Sequence, residues 1–114
     1  MNITIIRDRT ISVAAIDGDI THSVAPELQR QLLDALAEAS VLILDFSQLR
    51  MLTSAGLRAL LLLHRNAAAA DRRLILAAAP AGVRDVMEVT GFWDQFDHFP
   101  SLTEARAAGE GGRS

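Results

Sequence analysis

Few side chains in this sequence are placed to do chemistry. Two adjacent hydroxyls, Thr53 and Ser54, precede Ala55, Gly56 and a leucine-rich run. A hydroxyl there falls near the start of a predicted helix. Unpaired N–H groups and the helix dipole favour negative charge at such a place. A phosphate would be stabilised there. The plain alternative is that Thr53 or Ser54 is an ordinary N-cap. Gly56 in a first helical turn costs up to ~1 kcal/mol relative to alanine, which the close approach of another backbone would offset.

Other chemistries are poorly served. There is no cysteine, so disulfides, thiolate metal sites and thiol catalysis are excluded together. All eleven basic residues are arginine; without lysine there is no Schiff base and no phosphate-loop lysine. His22, His64 and His98 are not spaced i, i+4, so no helical metal pair exists. Ser54, Asp45 and a histidine could be imagined as a triad. The G-x-S-x-G elbow is missing, because position 52 is leucine. Gly56 stands alone where a dinucleotide site needs three glycines. No enzyme activity, cofactor or metal is expected.

Two further features have a bland and a functional reading. Arg58, Arg65 and Arg72 recur every seven residues, with Arg73 beside the last. Such spacing keeps side chains on one helical face, drifting ~20° per heptad. That face is either solvated or meets an acidic partner. Trp93, beside Phe92, is either a lid on the core or an exposed anchor.

The elements that position these residues follow from periodicity. Residues 3–6 and 11–16 are β-branched runs separated by a polar stretch, a pair of strands joined tightly. Asp17-Gly18-Asp19 is a turn signal. Leu28, Leu32 and Leu36 predict a helix opened by Pro26 and capped by Ser23. Residues 41–44 read as a strand buried on both faces. Residues 46–53 read as a loop, 54–70 as a long helix and 74–78 as a strand. Val83, Val86, Met87 and Thr90 mark a short helix stopped by Gly91. A last strand at 96–99 and a helix at 102–108 complete a ββαβαβαβα order. Residues 109–114 read as a disordered, glycine-rich tail.

The expectation is a single α/β domain over residues 1–108. It should hold a mixed, mostly parallel sheet of about five strands and four helices. In such sheets function gathers beyond the carboxyl ends of the parallel strands, here near Asp17–His22 and Asp45–Gly56. The 114 residues suffice for one core. Eleven basic against fourteen acidic residues leave a net charge of −3, which argues against nucleic acid as a partner. The apolar runs are too short to span a membrane, and the N-terminus lacks a signal-peptide layout. A cytoplasmic protein is expected.

Leu44-Asp45-Phe46-Ser47 through Leu52-Thr53-Ser54-Ala55-Gly56-Leu57-Arg58 resembles the signature of STAS domains, the bacterial anti-sigma factor antagonists. The likeness extends to Gly18-Asp19-Ile20, Ala25-Pro26-Glu27-Leu28, the stretch from Val83 to Gly91, and Phe99-Pro100-Ser101-Leu102. Each piece is weak alone; their order and spacing are specific. The resemblance implies a switch that binds an anti-sigma factor, itself a serine kinase of GHKL-type ATPase fold, and so releases a sigma factor. It implies phosphorylation at Ser54, with Thr53 as the alternative acceptor, and reversal by a PPM-type phosphatase. Around that serine, Thr21, His22, Thr53, Ala55 and Gly56, with Arg58 and Arg65 of the seven-residue arginine face, are the expected partner surface. Many members carry Asp where this chain has Thr21 and Thr53. Some STAS domains are not phosphorylated and serve as scaffolds or in lipid-transport assemblies.

Overall fold

The chain begins as a hairpin because Arg9 accepts a left-handed backbone, φ 61°, between two β-branched runs. β1 (Asn2–Asp8) and β2 (Ile11–Ile20) pair antiparallel, from Asn2 opposite Asp17 to Asp8 opposite Ile11. The computed structural model describes residues 1–111. After β2 come α1 (Ala25–Ala37), β3 (Val41–Asp45), β4 (Leu49–Leu52) and α2 (Ser54–Ala69). Then follow β5 (Arg73–Ala77), α3 (Ala81–Val89), a 3-10 turn (Trp93–Gln95), β6 (Asp97–Phe99) and α4 (Leu102–Gly111).

The sheet runs β1-β2-β3-β5-β6, with β4 added beside the far end of β2. Every pairing except the first hairpin is parallel. The helices connecting the parallel strands α1, α2 and α3 cover one face of the sheet. Leu28, Leu32, Leu60, Leu63 and Met87 meet Ile16, Leu44 and Leu76 there. On the other face Ala105 of α4, with Phe99 and Leu102, packs against Val13, Val41, Ile43 and Ile75. β3 is buried on both faces from Val41 to Leu44, as a central parallel strand must be.

Three expectations are corrected. Asp17-Gly18-Asp19 is not a turn but the last part of β2. Gly18 adopts φ +106°, and the register shifts between Gly18 and Asp19. Gly18 already faces Leu49, and Arg50 is the extra residue on β4, so the bulge falls within the β2–β4 pairing, beyond the point at Ala15 where β2 parts from β3. Residues 46–53 are not all loop, since β4 lies within them; its four residues are buried at both ends and exposed between, so they show no alternation. The final helix does not stop at 108. It continues through Gly109, where an ideal Cβ would come within 3.2 Å of Val41 Cγ1. Glycine there lets the last turn close on β3. The rest of the expected tail, 112–114, lies outside the described residues.

Candidate functional site

The two adjacent hydroxyls have opposite fates. Thr53 is the N-cap of α2, in an extended conformation. Its hydroxyl accepts from the Gly56 N–H at 3.3 Å and donates to the Ile20 carbonyl at 2.8 Å. Its own N–H also donates to Ile20, at 3.1 Å. Thr53 therefore ties the helix start to the end of β2, and its oxygen is fully engaged. Ser54, the first helical residue, is exposed, and its hydroxyl makes no hydrogen bond among the described residues. No acidic residue occupies the first turn of α2. The positive end of the dipole is thus uncompensated beside Ser54.

Gly56 is buried, which corrects its expected place on a partner surface. An added Cβ would lie 2.5 Å from Ile20 Cγ2 and 2.8 Å from Leu52 Cδ1. The close approach that requires glycine is made by this chain's own β2 and β4. Thr21 is half-buried, and its hydroxyl bonds Ser23 at 3.1 Å. Ser23 is not the cap of α1: Val24 occupies that position without a side-chain bond. Nearby, Asp19 and Arg50 form an ion pair at 3.4 Å. Sequence reading missed it because β4 carried no strand pattern to place Arg50.

A shallow groove of about 240 Å³ opens between α1 and α2, just beside Ser54. His22, Ala25, Pro26, Ala55, Arg58 and Leu62 line it. The structure thus brings His22, Ala55 and Arg58 together. Arg65 is exposed farther along α2, outside the groove. The seven-residue arginine stripe ends there. α2 stops at Ala69, and Asp71 takes a left-handed φ of 57°. Arg72 then donates to the Ala39 carbonyl at 2.6 Å, and Arg73 bonds Asp97 and the Ala108 carbonyl, both at 2.8 Å. These two arginines are structural ties. They border a larger hollow of about 410 Å³ at the far end of α2, away from the hydroxyls.

The remaining candidates are packing groups. Asp45 accepts from the Ser47 N–H at 3.0 Å and shapes the exit of β3. His64 sits edge-on to Phe96, with centroids 5.0 Å apart. Trp93 is 7% exposed, stacked on His98 at 4.0 Å and covered by the Arg84 guanidinium at 5.0 Å. It is a lid on the core rather than an exposed anchor. No cluster of three metal-ligating side chains occurs among the described residues.

The family profile described as "Mlab, STAS domain" matches residues 6–103. The chain belongs to the STAS domain family. BtrV of Bordetella bronchiseptica, provisionally named an anti-sigma factor antagonist, is 28% identical over 109 residues, covering 95% of this chain and 94% of that one. The fold of this STAS domain is that of solved relatives. An anti-sigma factor antagonist from Mycobacterium paratuberculosis superposes with a TM-score of 0.85 at 23% identity, over 94% of this chain and 92% of the other. The anti-sigma factor antagonist SpoIIAA in its unphosphorylated form gives 0.82 at 20% identity, over 96% and 97%. The Bacillus cell fate determinant SpoIIAA in its phosphorylated form gives 0.73 at 19% identity, over 93% and 97%. No described helix of this STAS domain is long and apolar enough to cross a membrane.

Proposed function

We propose that this STAS domain is an anti-sigma factor antagonist, a binding module switched by phosphorylation of Ser54. The observation that carries the reading is the division of labour between the hydroxyls. Thr53 holds the helix, and Ser54 stands exposed and unbonded at its start. The partner is an anti-sigma factor that is also a GHKL-type serine kinase, and a PPM-type phosphatase restores the hydroxyl. In the modification, the Ser54 oxygen attacks the γ-phosphorus of ATP. The bond to the ADP oxygen breaks, and the serine proton passes to a base on the kinase. The contact surface comprises Thr21, His22, Ala55, Arg58 and Arg65 around that serine. The chain acts in the cytoplasm, as the kinase's substrate and not as an enzyme.

Incubation with ATP and the cognate kinase, followed by peptide mapping, tests the assignment. One phosphate is expected, on Ser54, and Ser54→Ala should accept none. Phosphate on Thr53 would overturn it. A second reading, a STAS scaffold that is never phosphorylated, is favoured by Thr21 and Thr53 standing where many members carry Asp. Stable binding with no phosphate transfer would select it.

A further inference from the structure

The groove between α1 and α2 has walls but no counter-charge. We infer that it receives an acidic segment of the anti-sigma partner, carrying one apolar side chain into the groove, with Arg58 as the anchor. Phosphate on Ser54 then expels the segment by competing for Arg58. This rests on the antagonist reading above.

Charge complementarity picks the occupant. The whole chain carries −3, yet no carboxylate lines this groove. Arg58 is its one charged lining residue, and His22 lines it too. Most arginines of the molecule already hold a carboxylate: Arg7, Arg30, Arg50, Arg73, Arg84 and Arg106 all do. Arg58 holds none among the described residues, and α2 contains no Asp or Glu at all. Arg58 is exposed, so its guanidinium is open to a carboxylate brought from outside the helix. Gln29 adds one polar amide, and the rest of the lining is apolar: Ala25, Pro26, Ala55, Ala59 and Leu62, the last 36% exposed. Such a slot suits one apolar side chain flanked by carboxylates, whose planar oxygens an arginine can hold in pairs.

Competition follows from spacing. Ser54 and Arg58 are four residues apart on one helix, so their side chains are neighbours. The anion lies N-terminal to the cation, the better orientation. Phosphate adds about −1.5 to −2 charges and three strong acceptors. It therefore satisfies Arg58 internally while repelling an acidic occupant.

Two measurements test this. In the first, the isotope-labelled chain is titrated with its anti-sigma factor kinase and its amides are followed by NMR. Shifts at Ala25, Ala55 and Leu62 are expected. Arg58→Glu should weaken binding at least about tenfold and Arg58→Lys less, because lysine keeps the charge without the paired donors. Arg106→Glu, on α4 across the sheet, should bind as the parent does. Shifts confined to α3 and β4 would overturn the groove while leaving the antagonist reading intact. Absence of any complex would remove both. The second measurement needs no partner. The second pKa of phospho-Ser54, followed by phosphorus NMR, should be lower in the parent than in Arg58→Gln. Equal values would overturn the competition.

Discussion

At the scale of single residues, Gly56 is fixed by the side chains packed against it, and Ala78 stands where the backbone would favour glycine. Gly56→Ala gains helix propensity of up to ~1 kcal/mol. It also drives a methyl into Ile20 and Leu52, and overpacking of that kind costs about 1–3 kcal/mol. The net expectation is a loss of about 1–2 kcal/mol and a melting point lower by several degrees. A higher melting point would mean that β4 yields freely. Ala78 shows the reverse case. It follows β5 with φ 59°, a region that costs an L-residue roughly 1–2 kcal/mol, and its N–H is fixed to the Phe99 carbonyl. Ala78→Gly relieves that strain against an entropic cost of about 0.5–1 kcal/mol. A gain of about 0.5–1 kcal/mol in denaturant titrations is expected, with the binding surface untouched.

At the scale of elements, the two exposed helix starts differ in sign. α1 begins with Glu27 in its first turn, hydrogen-bonded by Arg30 and by Gln31. Those bonds, the Arg30 bond foremost, lower the Glu27 pKa from 4.5 to about 2, and the same pairing raises that of Arg30. A carboxylate lowered on folding stabilises above its unfolded pKa and loses that contribution as pH falls through its folded one. The stability difference between parent and Glu27→Gln should be constant above about pH 4.5 and vanish toward about 2. It should also be small, because the pair is exposed. A difference that persists unchanged through that window would deny the pairing.

α2 has no such acid, so a phosphate placed on Ser54 would supply the missing charge. That interaction is favourable by roughly 0.3–1 kcal/mol at an exposed site. The phosphorylated form should melt no lower than the parent. The loss must appear at the interface, where an unmatched charge costs about 2–5 kcal/mol, or roughly 30- to several-thousand-fold in affinity. Ser54→Asp, with one charge, should weaken binding less. Paired melts and titrations on these forms decide it: a large fall in melting point that tracks the lost affinity would mean that phosphate disorders the site.

At the scale of the whole molecule, one sheet joins two layers. Three helices lie on one face and α4 on the other, and β2, β3 and β5 contribute to both cores. Neither layer keeps its packing without the sheet. Unfolding followed by circular dichroism should coincide with loss of the Ala105 methyl resonance on the α4 side. An earlier transition in the methyl signal would mean that α4 detaches as a separate unit. The sequence disclosed most of this plan because long-period signals survive averaging. Leu28, Leu32 and Leu36 announce α1, and the apolar run Val41 to Leu44 announces a central strand. It hid what depends on a single tertiary contact. β4 is too short to show a period, the positive φ of Gly18 within β2 mimics a turn, and Gly109 looks like a tail until Val41 is placed beneath it. At the site, Thr53 and Ser54 were both visible as hydroxyls. Only the Ile20 carbonyl, 33 residues away in the chain, separates the capping hydroxyl from the exposed one.

The stack of Arg84, Trp93 and His98 gives the molecule an optical property. The chain has one tryptophan and no tyrosine, so nearly all its intrinsic emission comes from a single indole whose surroundings are known. Burial places that emission toward the blue. Arg84 belongs to α3 and His98 to β6, so any event that slides α3 over the core changes the emitted light without a dye or a tag.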